Sequence, residues 1–333
     1  MRLCVNTLAA PALLLGLLAV AAPASATSCT TQASLLPQDR DALAAAGGGL
    51  ARAVAAQDLV SLKAALLPAV AQEWDGISAV VQDAAPLMKG GQVQLRSLYL
   101  LDATSLTAPA DTQFFCSNAT GSMTVTLSMR ALPPGRYAVV LADAAGAPFA
   151  AQLSLILVWD AQASAWKLGG LTVRPGALEG HDGVWWWTHA REVVKAEPAN
   201  SWAAWYSYEV ARSLLLPVDF LSSPNLDKLG SEQALLKNSP QDAFPMTIPD
   251  GPRTWKIDTA HFDQTLMRAD LGVVYESIGV TDPAALRTEA VAVLSAFLKA
   301  QPGLRQHFHG LWAYAVKDGK RTPVLELPMA QIP

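Results

Sequence analysis

With only 3 cysteines, 5 histidines and 16% charged residues, this chain of 333 residues is short of the side chains on which most chemistry relies. It contains no Gly-x-Ser-x-Gly elbow, no phosphate-binding glycine loop, no His-Glu-x-x-His pair and no dinucleotide glycine fingerprint. A basic block is also missing: 24 Lys and Arg stand against 28 Asp and Glu, for a formal net charge of −4. Nucleic acid is therefore not an expected partner, because neutralising phosphates needs clustered cations. Beyond the first segment no apolar run is long enough to span a bilayer.

What is present begins with "MRLCVNTLAAPALLLGLLAVAAPASA". Arg2, an apolar run from Ala9 to Ala22 and the step Ala24-Ser25-Ala26 have the layout of a secretory signal. Residues 1–26 are expected to be removed, leaving an exported protein, periplasmic or secreted, without a transmembrane segment. Two cysteines then remain, Cys29 and Cys116. In an oxidising compartment they either pair, tying the N-terminus to a strand, or stay as two thiols. Cys116 sits in "TQFFCSNAT" with no histidine within sixty residues, which argues against a catalytic thiol.

From Gln38 to Ala85 apolar residues recur at helical spacing, with Asp58 as an N-cap and Pro68 as a stop. The glycines at 47–49 predict a break before Leu50. From Val93 to Arg174 the period changes to two. "MTVTLSMR" puts Met123, Val125, Leu127 and Met129 on one face and polar residues on the other. Further strands follow, turning near Gly146 and Asp160. Helices followed by a meander predict an α+β fold, its N-terminal helices packed on a curved antiparallel sheet. Residues 38–175, with their "AVAAQDLVSLKAALLP" start and "DAQASAWKLGGLTV" hairpin, resemble the nuclear-transport-factor-like fold, which also hosts steroid isomerases and scytalone dehydratases. The resemblance implies a cone-shaped pocket and does not decide between enzyme and binding domain.

Five of the ten tryptophans fall in "GVWWWTHAREVVKAEPANSWAAWYSYEVARSLLLP". Two antiparallel helices fit there, about 182–196 and 200–216, with Trp186, Ala190 and Val193 facing Ala204, Tyr208, Ala211 and Leu215. The pattern resembles a single tetratricopeptide-repeat hairpin, although no second copy follows. Trp185, Trp186 and Trp187 span about 200° of helix, so they cannot all enter one seam. Trp185 and Trp187 become the candidates for a protein-binding surface, with docking between domains as the plainer alternative. Proline-rich residues 217–252 read as a connector. The remainder reads as a small ββαββ unit whose helix starts at Asp282-Pro283 and whose last hairpin turns at Asp318-Gly319.

The expected organisation is thus a leader (1–26), an α+β domain (27–177), a hairpin with its connector (178–240) and a small α+β domain (241–333). Trp74, Tyr99, Met129 and Trp159 are the candidate lining of an apolar pocket suited to a small hydrophobic ligand. Asp102 and Asp143 alternate to the opposite strand face, so no catalytic residue is assigned. His307 and His309, two apart, could share a metal with Glu326 or His261. The ordinary reading is a helix-to-strand connector, and no metal or other cofactor is assigned. These readings favour a non-enzymatic binding or assembly protein of the bacterial cell envelope, taking a protein partner or a small hydrophobic ligand. The alternative is a steroid-isomerase- or dehydratase-like enzyme using the cone. Oligomeric state is not legible.

Overall fold

A computed structural model describes residues 27–118, 120–121, 124–146, 150–279 and 282–333. The expected leader, residues 1–26, and Met123 lie outside the described residues. The chain opens with β1 (Ser28–Thr31) and four helices, α1 (Pro37–Ala55), α2 (Leu59–Ala64), α3 (Trp74–Asp83) and α4 (Ala85–Met88). Strands β2 (Gln92–Asp102), β3 (Ala110–Ser117), β4 (Thr124–Leu132), β5 (Arg136–Ala145), β6 (Ala151–Asp160) and β7 (Ala165–Pro175) follow. Four of them join β1 in an antiparallel sheet of order β1-β2-β5-β6-β7, with irregularities near Ser97 and Leu157. Such bulges bend a sheet and increase its twist. The fold is α+β with predominantly antiparallel sheets.

Alternation decides what covers this sheet. Ala138, Val140 and Ala142 of β5, with Leu153, Leu155 and Leu157 of β6, meet Leu43, Ala51, Val54 and Leu62 of the helices in one buried core. Burying each leucine fully contributes about 1.5–3 kcal/mol. The helical register is held by Asp58, whose carboxylate caps α2 by accepting the Ser61 N–H at 3.0 Å. The expected break at residues 47–49 does not occur: α1 runs unbroken through the glycines. A Cβ on Gly47 would stand 2.9 Å from Val140, so glycine is what lets the helix lie this close to β5.

The opposite face of the sheet carries Tyr137, Val139 and Leu141, covered by a second, three-stranded sheet in which β4 is central and β3 lies on one side. Its third strand arrives from far along the chain. Two short strands, β8 (Ala177–Leu178) and β9 (His181–Asp182), lead into the helical hairpin α5 (Gly183–Ala196) and α6 (Ser201–Leu215). The chain then returns as β10 (Leu221–Ser222), pairing with Thr126 and Leu127 of β4. Gln152 and Ser154 of β6 donate to the carbonyls of Leu214 and Pro217, fastening the end of α6 to the first sheet. Cys29 and Cys116 are joined by a disulfide, which links β1 of the first sheet to β3 of the second.

The hairpin matches its expected bounds closely. Asp182 caps α5 by accepting the Trp185 N–H at 2.8 Å, and Trp186, Ala190 and Val193 are buried against α6. The rest of the chain comprises α7 (Pro224–Ala234), α8 (Pro240–Ala243), β11 (Met246–Asp250), β12 (Arg253–Asp263), β13 (Asp270–Glu276), α9 (Pro283–Ala300), β14 (Gly310–Lys317) and β15 (Lys320–Pro328). The last five strands form a sheet in sequence order, with β13 and β14 parallel across the α9 connection. The segment read as a proline-rich connector thus supplies a strand, β11, and the last unit is βββαββ. Pro249 is tolerated there because β11 lies at the sheet edge. Leu271, Val273, Leu311 and Ala313 face α6 and α9 in a third core.

Two stability outcomes follow from these contacts. A Cβ on Gly183 would lie 2.6 Å from Leu215 Cγ and 3.1 Å from the Ala211 carbonyl. Gly183→Ala should therefore destabilise by about 1–3 kcal/mol through overpacking, exceeding the gain of about 1 kcal/mol that alanine brings to a helix. Denaturant unfolding checks the sign. Replacing both Cys29 and Cys116 by serine opens a sequence separation of 87 residues. It should lower the unfolding free energy by about 4–5 kcal/mol in the chain-entropy description, read as a fall in the denaturation midpoint.

Candidate functional site

A cleft of about 590 Å³ opens between the two sheets of the first half. Met129 and Leu132 of β4, Tyr137 of β5, Ile156 and Val158 of β6, and Phe220 form its apolar walls. The short turn after α2 closes one end with Leu67 and Val70. Gly169 keeps the floor low, since a Cβ there would meet Val158 at 2.8 Å. Two charged residues reach the lining, Arg130 and Asp219. Asp219 is 83% exposed and pairs with Arg174 at 2.7 Å. The Tyr137 hydroxyl is spent on the Pro133 carbonyl at 2.7 Å.

Of the four residues expected to line one pocket, only Met129 does so here. Trp74 is half-buried against the helix–sheet core beside Leu59 and Lys63, and Tyr99 faces a separate recess near Cys116. Trp159 packs edge-on against Trp166, its ring 5.4 Å away. The helix–sheet interface where they would have met is filled by aliphatic side chains. In β4, Leu127 is fully buried between the sheets. Beyond Met129 the alternation breaks: Ala131 adopts φ 46°, its N–H donates to Asp111, and Leu132 turns inward. Asp102 accepts from Thr104 and Asp143 pairs with Arg96 at 3.1 Å, so neither reaches the cleft.

The three consecutive tryptophans go three ways. Trp186 is buried in the hairpin core. Trp187 is engaged within the chain: its N–H donates to Glu232 of α7 at 2.8 Å, and Arg191 lies over its ring at 4.3 Å while also holding Glu232. Trp185 is 40% exposed and stacked between the rings of His181 and His189, at 3.6 and 4.9 Å.

The two neighbouring histidines point apart. His307 contacts His189 at 3.1 Å and Glu197 at 3.3 Å, beside the hairpin. His309 turns to the outer face of the last sheet, 3.0 Å from Asp270 and 3.7 Å from Glu326. Register puts Asp263, Asp270 and Gly310 on one rung of that face, and His261, Gly272, Trp312 and Glu326 on the next. Asp263 accepts the Tyr314 hydroxyl at 2.5 Å, and His261 lies 3.8 Å from it, beside Arg321. Burial raises the carboxyl of Asp270; burial and the nearby Asp270 raise that of Glu326. Asp263, Asp270 and Tyr314 were not singled out from sequence. The signal was there, since Asp263 and Asp270 flank one hairpin loop and alternate with apolar neighbours on their strands.

No protein-family model, no curated protein and no solved structure matches this chain. No helix among the described residues is long and apolar enough to cross a membrane.

Burial, then the adjacent His307, holds the His189 imidazole below its usual range. A histidine depressed in the folded state adds stability above its unfolded value of about 6.5. That contribution is lost as pH falls through the lower folded value. His189→Gln should therefore flatten the decline of unfolding free energy below about pH 6.5, measured by denaturant titration at several pH values. Equal declines in the variant and the parent chain would remove His189 as a source.

Proposed function

We propose that this chain is an exported binding protein of the bacterial cell envelope that takes a small hydrophobic ligand between the two sheets of its first half. In this reading residues 27–177 are a nuclear-transport-factor-like domain and α5–α6 a tetratricopeptide-like hairpin. The observation carrying the reading is the interlayer cleft, about 590 Å³ and walled by Leu67, Met129, Ile156, Val158 and Phe220. Such a volume and lining suit a compact apolar molecule. General-base chemistry calls for an acid or histidine tuned by burial. The acid at this cleft, Asp219, stands in solvent beside Arg174 and is suited to greeting a polar ligand end. The Cys29–Cys116 disulfide fits an oxidising compartment.

The reading is tested by titrating the purified chain with N-phenyl-1-naphthylamine, whose emission rises in apolar surroundings. Saturable binding is expected. Met129→Glu should weaken it at least about tenfold, because the ligand would have to share an apolar site with a carboxylate. Ile156→Trp should weaken it by filling the space. Unchanged affinity in both folded variants would reject the cleft as the ligand site.

A further inference from the structure

The last sheet carries a second constellation, independent of the cleft. Asp270 opens β13, His309 directly precedes β14 and Glu326 lies on β15, so three adjacent strands each present one donor. Their ligating atoms all fall within 4.8 Å of one another. The backbone holds them there: the His309 N–H donates to the Ala269 carbonyl at 2.9 Å, and the His309 carbonyl accepts from Met329 at 2.8 Å.

Three further observations converge on this spot. Asp270 is 0% exposed, yet its Oδ2 has no hydrogen-bond partner, and neither does the buried Oε1 of Glu326. Leaving a buried carboxylate oxygen unpaired is costly, and a cation bound by the carboxylate offsets that cost. Residue 310 is a glycine whose added Cβ would lie 2.7 Å from Glu326 Oε1 and 3.1 Å from Asp270 Oδ1. Its missing side chain is the volume between the two acids. Finally, His309 Nδ1 lies 3.0 Å from Asp270 Oδ1 and 3.7 Å from Glu326 Oε1. A tetrahedral zinc ion with bonds near 2.0–2.1 Å spaces its donors about 3.3 Å apart, between those two distances.

We propose that Asp270, His309 and Glu326 bind a divalent zinc-class ion, leaving a fourth position open toward the outer face of the sheet. One carboxylate pair and one imidazole match the oxygen and nitrogen donors zinc accepts. The Trp312 N–H, on the same rung as Glu326 and without a partner, is a donor suited to a metal-bound water or an anionic ligand. Arg268 sets the local competition. It lies 3.2 Å from His309 Nε2, where it donates to a ring whose proton sits on Nδ1 facing Asp270. Coordination through Nδ1 requires the other neutral tautomer, with the ring proton transferred through solvent to Nε2. Donor would then face donor, and the exposed guanidinium of Arg268 swings away.

Zinc chloride titrated calorimetrically into the chelator-dialysed full chain tests this site. One ion per chain is expected. His309→Gln, with Glu326→Gln as a second variant should the first misfold, should bind roughly a hundredfold or more weakly. Arg268→Ala should bind severalfold more tightly, and His307→Gln should match the parent chain. The site is overturned if the parent chain takes up no zinc, if both ligand variants keep parental affinity, or if His307→Gln alone abolishes uptake.

Discussion

Between Tyr137 and Ala142, strand β5 has no polar face. Its even positions, Ala138, Val140 and Ala142, and its odd positions, Tyr137, Val139 and Leu141, are all buried. A strand of this kind needs cover on both sides, and the first half of the molecule is the solution to that requirement. Helices supply one layer, and the small sheet β10-β4-β3 supplies the other. The small sheet is not a complete cover, and the cleft is the gap it leaves beside β6 and β7.

What could be read in advance followed from local rules. The caps Asp58 and Asp282, the two hairpin helices and the Asp318-Gly319 turn all rest on hydrogen bonds or dihedrals set by residues a few positions away. The errors came from contacts between distant segments. A triple glycine reads as a helix breaker until Val140 is known to press on it. Strand alternation sorted the residues of β4 into faces but did not say which layer each face would meet. Trp74, Tyr99 and Trp159 were therefore grouped in a pocket that the helices in fact fill. Pro249 masked β11, because proline's penalty in a sheet depends on whether the strand is central or at an edge.

The histidines show the same limit on a smaller scale. A spacing of two suggested a shared side, but both histidines precede the strand and only the backbone of His309 continues its hydrogen-bond ladder. Glu326 was legible as a neighbour through the pairing of β14 with β15. Asp270 required the parallel pairing across α9, a contact that no hairpin rule announces. Aromatic content was similarly uninformative until the helix had neighbours. Trp187 finds Glu232 on α7, which the sequence places 45 residues later.

The return of the chain as β10 has a consequence for the order in which the molecule can be completed. Leu216, Val218, Leu221 and Leu226 belong to the core that seals the outer side of the first sheet. During vectorial emergence from a ribosome, the first 175 residues can assemble their meander but cannot dry their second interface. That layer stays wet until roughly fifty more residues have appeared, so the amino-terminal half passes through an unfinished and adhesive stage.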